Sequence, residues 1–216
     1  PTAKGEITEG LEYEVISNLR VSLIGTHNWL INAVKDMSND EGSTYFIGNP
    51  GYGLASIFPK AVRDYDAVTA SFTKAFSDGW MGQASYTWSY LRGNYNGLFR
   101  PETDQINPNI NSDFDLKSLL ANQYGPLSAD RTHNIKVYAA KQFQVNNSLS
   151  FVLGLTYTGI SGAPINYLAS HPIYGADESF VLPRGSGGRT PWIHDINAKG
   201  GVTYNFDKDR ALSFTV

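Results

Sequence analysis

Trp80-Met81-Gly82-Gln83-Ala84-Ser85-Tyr86-Thr87-Trp88-Ser89-Tyr90 alternates without a break. Its even positions carry Trp, Gly, Ala, Tyr, Trp and Tyr, and its odd positions carry Met, Gln, Ser, Thr and Ser. Successive side chains of a strand point to opposite faces, so this stretch has one aromatic face and one hydroxyl-rich face. A soluble sheet buries the aromatic face on a core. A membrane barrel turns that face to lipid and the polar face to a wet lumen.

The same alternation recurs in four pairs of runs: 6–15 with 19–31, 65–76 with 80–92, 132–144 with 149–159, and 192–206 with 211–216. The joints are short: Ile16-Ser17-Asn18, Ser77-Asp78-Gly79, Asn146-Asn147-Ser148 and Asp207-Lys208-Asp209-Arg210. Asp-Gly between alternating runs is a strong hairpin signal. Leu149, Phe151, Leu153, Leu155 and Tyr157 form the cleanest apolar stripe. Between the pairs run long connections, 32–64, 93–131 and 160–191, rich in Gly, Pro, Asn and Asp. Structureless loops of that length are uncommon in compact soluble domains.

Short turns at one end and long loops at the other describe a transmembrane barrel with periplasmic turns and extracellular loops. Aromatics near strand ends, among them Trp29, Trp80, Trp192 and Tyr204, suit interfacial girdles. The predicted fold is all-β: an antiparallel transmembrane β-barrel segment of about eight strands. Gln83, Ser85, Thr87, Asn134, Lys136, Gln142 and Asn197 are expected on its lumen side. Three charges fall on the lipid parity. Lys74 and Lys141 lie close enough to short turns to reach the interface. Glu9, among Ile7, Leu11 and Tyr13, is costly at mid-strand.

Composition agrees with strands. The 216 residues are 41% apolar and 13% aromatic, with 13 Tyr, 11 Phe, 4 Trp and 21 Gly. No apolar run approaches the roughly 18 residues of a spanning helix, whereas a spanning strand needs only about 9–11 residues, every second one apolar. Absence of cysteine rules out disulfides, thiolate metal sites and a cysteine nucleophile. A net charge of −3 without a basic cluster gives no reason to expect nucleic acid as a partner.

Several motifs go beyond periodicity. Thr44-Tyr45-Phe46-Ile47-Gly48-Asn49-Pro50-Gly51, Leu91-Arg92-Gly93-Asn94-Tyr95, Phe99-Arg100-Pro101-Glu102-Thr103 and Asp130-Arg131-Thr132-His133-Asn134 stand in loops or at strand starts. So do Ser161-Gly162-Ala163-Pro164-Ile165-Asn166-Tyr167 and Tyr174-Gly175-Ala176-Asp177-Glu178. Together they resemble the barrel of TonB-dependent outer-membrane transporters, in particular the Oar-like group. The resemblance implies a parent barrel of about 22 strands closed by a plug. On that view residues 1–216 are a carboxy-proximal part of the barrel domain, without plug, earlier strands or terminal strand. It implies outer-membrane localisation, outer-membrane lipid as surroundings, and TonB engagement through the missing plug region. It also implies an extracellular cargo (peptide, protein or small molecule) moved by the proton gradient of the inner membrane, without covalent chemistry. Two other readings remain open: a self-contained eight-stranded outer-membrane barrel with a structural or adhesive role, and a soluble β-sandwich burying Trp88 and Leu153 in one core.

Enzyme signatures are poor. Ser161 and Ser186 sit among glycines without the Gly-x-Ser-x-Gly elbow and read as flexible loop. His27, His133, His171 and His194 show no metal-ligand spacing. Asp195, Asn197 and His133 would need to meet at one end of the barrel to act together. No cofactor is expected other than calcium, for which Asp104, Asn107, Asn109, Asn111, Asp113 and Asp115 are the candidate ligands. Their oxygens recur at alternate positions, although the loop lacks the glycine and bidentate glutamate of an EF-hand. A solvated turn around Pro108 is the simpler alternative. Tyr45, Phe99, Arg100, Tyr124, Tyr174, Arg184 and Arg189 are the candidate ligand vestibule, because Tyr and Arg are typical binding anchors. The alternative for each is packing of loop on loop.

Overall fold

A computed structural model describes residues 2–108, 110–207 and 210–216. In chain order the strands are β1 (Ala3–Ile16), β2 (Leu19–Asn32), β3 (Lys35–Met37), β4 (Phe46–Gly48), β5 (Arg63–Ser77), β6 (Trp80–Gly93) and β7 (Gly125–Pro126). They continue as β8 (His133–Gln144), β9 (Leu149–Ile160), β10 (Leu168–His171), β11 (Gly175–Phe180), β12 (Ile193–Asn205) and β13 (Ala211–Thr215). Helical geometry among the described residues is confined to short 3-10 turns at Gly53–Ala55, Pro101–Thr103 and Lys117–Leu119.

The eight long strands pair antiparallel in the order β1-β2-β5-β6-β8-β9-β12-β13, and β7 adds to β6, giving one nine-stranded sheet. The order is simply chain order, an up-and-down meander. β3 with β4, and β10 with β11, make two small separate hairpins. The sheet is open: among the described residues β1 pairs only with β2 and β13 only with β12. The self-contained barrel would require those two edges to meet, and they do not.

Turn chemistry fixes the hairpins. Asp78 and Gly79 both take positive φ, 53° and 76°, the backbone twist that matches two right-twisted strands. Asn18 does the same at 72°. Asn146 Oδ1 accepts the amides of Ser148 and Leu149, each at 2.9 Å, and so closes the third turn. Of the fourth turn, Lys208 and Asp209 lie outside the described residues.

Register aligns the apolar stripes into continuous rows. One runs Tyr13, Val21, Phe72, Ala84, Val137, Tyr157, Ile196 across seven strands. The opposite face carries the expected polar set: Thr87 stands opposite Asn134, and Ser85 opposite Lys136. Hydroxyls bond across it, Ser22 to Ser71 at 2.6 Å, Thr69 to Thr87 at 2.8 Å and Thr203 to Ser213 at 2.9 Å.

Among the described residues no second layer covers the apolar face. Phe151 and Tyr86 are each 41% exposed, Trp88 44% and Leu153 57%. The β-sandwich reading buries Trp88 and Leu153 together and is therefore overturned. The charged exceptions on this face are accommodated individually. Lys74 bends to the turn, over the Trp80 ring at 4.6 Å and onto Ser77, and Lys141 lies 5.4 Å from the Phe143 ring. Glu9 stands opposite Gly25, in a groove shared with Trp88 and the His27–Asp66 pair, 2.7 Å apart.

At the loop end of the same face five rings stand side by side: Tyr86, His133, Trp192, His194 and Tyr157. Their centroids are 6.0, 5.7, 5.9 and 6.1 Å apart, and successive planes differ by 9° to 15°. Phenol-to-imidazole hydrogen bonds close both ends, Tyr86 to His133 at 2.8 Å and Tyr157 to His194 at 2.9 Å.

Candidate functional site

The hydrophobic core lies in the long connections, beyond the sheet. Ala33, Met37, Ala55, Phe58, Tyr95 and Phe114 form a buried cluster, with Leu30, Phe46, Ala61 and Leu120 packed against it. Burying apolar area here stabilises the loops as it would any small domain. The connections thus fold on one another into a cap. Ser38 donates its amide to the Asp115 carbonyl at 2.7 Å, tying the first connection to the second. Arg184 donates its amide to the Asn122 carbonyl at 2.9 Å, tying the third to the second.

A chain of charges passes through the middle of this cap. Arg184, 1% exposed, lies 3.3 Å from Glu102 and 3.4 Å from Asp113. Arg100, also 1% exposed, pairs with Glu178 and approaches Asp113 at 4.0 Å. Lys35 lies 3.7 Å from Asp115 and 3.6 Å from Asp36, and donates to the Asn111 carbonyl at 2.5 Å. Burial pushes the Glu102 carboxyl up, but Arg184, helped by Asn96 and Ser128, brings it below its ordinary value. For Asp115 burial wins over Lys35, and its carboxyl is raised to about 6. Burial likewise raises the Tyr174 phenol, which hydrogen-bonds Asp115 at 2.9 Å and Tyr45 at 3.0 Å. Exposed Asp40 goes the other way, to about 2, because the Thr44 amide, Ser38 and Thr44 hydroxyls all bond its carboxylate.

The vestibule residues therefore divide. Arg100 and Arg184 are core ion-pair members, and Arg189 is held by Asp130 and the Gly162 carbonyl. Tyr45, Phe99 and Tyr124 are exposed on the cap, where a ligand can reach them. Tyr174 links Tyr45 to the charged interior. Sequence reading offered a vestibule or loop packing for each of the seven and could not choose, because it had no means of pairing Arg100 and Arg184 with acids in distant segments.

The candidate calcium ligands are also dispersed. Asp113 is taken up by the two arginines, Asp115 by Lys35 and Tyr174, and the Asn111 side chain donates to the Gly97 carbonyl. Asp104 and Asn107 are at the cap surface, and Asn109 lies outside the described residues. No group of three or more His, Asp or Glu among the described residues is arranged to hold a metal. The solvated turn does not describe the second half of this segment, since Asn111 through Asp115 are buried.

Other candidates are resolved by geometry. Ser161 is fixed rather than flexible: it is 2% exposed and accepts the His133 amide at 3.0 Å. Asp195 and Asn197 hydrogen-bond each other on the polar face, while His133 faces Tyr86 on the apolar one. They do not meet. One constellation went unseen in the sequence: Ser118 contacts His171 Nε2 at 2.9 Å and donates to Glu41. It is wired against nucleophilic chemistry. His171 Nδ1 accepts the amides of Ile173 and Tyr174, so Nε2 carries the proton and cannot take one from Ser118.

The uncovered apolar stripe, the hydroxyl-rich opposite face and the loop cap define an all-β chain built on one open antiparallel sheet. Its sequence is similar to that of a TonB-dependent transporter. Over 211 residues, 98% of its length, it is 56% identical to the TonB-dependent transporter Oar of Myxococcus xanthus. The chain spans 20% of that protein's length. This bears out the resemblance carried by the loop motifs. No protein-family model and no solved structure matches the chain.

Proposed function

We propose that this chain is part of the barrel of an Oar-like outer-membrane transporter, with its loop cap facing outward and its short turns toward the periplasm. The observation that carries this reading is the uncovered stripe through Tyr86 and Phe151. Hydrocarbon tails solvate such a face at no cost, whereas water would leave it as a large aggregation-prone patch. Dimensions agree. The twelve residues of β9, at about 3.3 Å each and tilted by about 40°, rise about 30 Å, the thickness of a bilayer's hydrocarbon core.

Cargo binds at the exposed part of the cap and passes along the polar face. Passage is driven by TonB acting on a plug that belongs to the rest of the transporter. Neither step makes or breaks a covalent bond. The self-contained adhesive barrel is disfavoured, because the two edges of the sheet do not pair.

A spin-label scan along β9 in the full-length transporter reconstituted in lipid tests the reading. Labels at Phe151, Leu153 and Leu155 should be relaxed by oxygen dissolved in the bilayer, and labels at Ser150, Gly154 and Thr156 by a water-soluble nickel chelate. Absence of this alternation would remove the membrane assignment.

A further inference from the structure

A cavity of about 580 Å³ opens on the polar face where the sheet meets the cap, between the loop-side ends of β1, β2 and β5 and the segment 95–99. Its lining is chemically one-sided. Arg63 and Lys4 supply positive charge, Leu30, Leu98 and Phe99 supply apolar surface, and among the described residues no carboxylate lines it.

Arg63 differs from the arginines of the charged core. Arg100, Arg184 and Arg189 each pair with a carboxylate. The Nε of Arg63 donates to the Asn96 carbonyl at 3.4 Å, which aims the group. Among the described residues its two terminal nitrogens have no hydrogen-bond partner, and no acid lies within ion-pair distance. A half-buried guanidinium with both terminal nitrogens free presents a flat pair of donors, the geometry that grips a carboxylate at two points. Lys4 is closer to the rim, with its ammonium 3.9 Å from Glu6 and its side chain 70% exposed.

We propose that this cavity binds the carboxylate of an amphiphilic ligand. Arg63 takes the carboxylate, and Phe99 with Leu98 and Leu30 takes the apolar body attached to it. One fixed guanidinium beside an apolar wall suits a single negative charge better than the double charge of a phosphate monoester. The proposal rests on the transporter reading and deepens it, by naming the chemistry that the cargo presents to the polar face.

Calorimetry on the full-length transporter in detergent tests it with three probes: N-acetylphenylalanine, its uncharged amide and phenyl phosphate. The acid should bind at least about tenfold more tightly than the amide, the worth of one charge-assisted contact. Arg63→Gln should abolish that preference. Phe99→Ala, on an exposed loop position, should weaken acid and amide alike and keep the preference. Heat-modifiable migration on gels reports whether each variant is folded. If Arg63→Gln does not fold, Arg63→Lys, which keeps charge but loses the two-point grip, should reduce the preference.

Equal binding of acid and amide, a preference that survives Arg63→Gln, or tighter binding of phenyl phosphate would each overturn the proposal. Lipid insertion is scored separately. A transporter that inserts but ignores the carboxylate defeats this inference alone, while one that fails to insert defeats the transporter reading.

Discussion

The phenol of Tyr157 folds back over Gly159, its oxygen 2.5 Å from where a Cβ on that glycine would sit, to hydrogen-bond His194 at 2.9 Å. The missing side chain is therefore what lets the ring ladder cross β9. Gly159→Ala pushes the phenol off His194, and because the displaced atom ends a rotatable side chain the strand itself survives. We expect a loss of about 1 kcal/mol or less in unfolding, with a shifted His194 imidazole resonance. Gly162 provides the contrast. A Cβ there would strike the Thr190 backbone carbonyl, which cannot rotate away. Gly162→Ala should cost several times more, read as a lower thermal midpoint. Equal costs would contradict the assignment of Gly159 to ring packing.

The cap's charged core should be fragile to one-sided truncation. Asp113 lies between Arg100 and Arg184, with all three side chains almost fully buried. Asp113→Ala leaves two guanidinium groups facing each other without the shared acid. Removing one partner of a buried ion pair costs roughly 3–5 kcal/mol. The sheet hairpins do not depend on these contacts. Proteolysis should therefore cut within 94–132 and 161–192 first, leaving the strand pairs intact. An unchanged protease pattern would show that the network is not needed to hold the loops.

Acidification should tighten one joint of the cap. Burial raises Asp115 to about 6 from an ordinary 3.8. The folded cap holds a proton there that the opened segment releases, so this residue favours folding fully below about 3.8, and the benefit disappears as pH rises through 6. Glu102, shifted downward, acts oppositely: its contribution is present above its ordinary value and lost only at lower pH. Between pH 5 and 7 the Asp115 effect stands alone of the two. The Ser38 amide, bonded to the Asp115 carbonyl, reports it. Its hydrogen exchange, corrected for intrinsic rate, should become less protected from pH 5 to 7. Asp115→Asn should flatten that dependence, and persistence of the slope in the variant would assign the proton elsewhere.

Strand positions were legible because the side-chain period of two is a local property. The runs 80–92 and 149–159 predict β6 (Trp80–Gly93) and β9 (Leu149–Ile160) to within a residue. Turn chemistry is local as well, as Asp78-Gly79 illustrates. The cap was not legible. Asp113 meets Arg184 across 71 positions, and Lys35 reaches the Asn111 carbonyl across 76. Nothing in the alternation of Asn, Asp and Ser from 104 to 115 distinguishes a metal loop, a solvated turn and a buried charged segment. The ring ladder was half visible: Trp192 stood out as a strand-end aromatic, and Tyr86 and Tyr157 as members of the apolar stripes, but only register reveals that His133 and His194 complete the row. Arg63 opens β5, which hid its role. In sequence it is one more basic residue at a strand end.

The assignment of the two faces yields the sharpest energetic contrast, and adjacent residues carry it. Leu155 lies in the middle of the apolar stripe, beside Ala139 and Ala198 on the neighbouring strands. Thr156, one position on, faces the opposite way, beside Tyr138 and Asn197. Arginine at a lipid-facing midplane site costs roughly 2–4 kcal/mol, while a lumen-facing site keeps it hydrated. Leu155→Arg in the full-length transporter should therefore refold into vesicles with a stability lower by that amount. Thr156→Arg should stay within about 1 kcal/mol of wild type and change only what passes along the polar face. Both substitutions place the same charged side chain at adjacent positions of one strand, so the added charge alone cannot separate them. If the face were instead covered by protein, Leu155→Arg would still hurt, but its cost would no longer depend on acyl-chain length. In vesicles of shorter lipids the residue lies nearer the interface and the penalty should shrink. A penalty that stays constant from short to long chains would show that something other than lipid solvates Leu155.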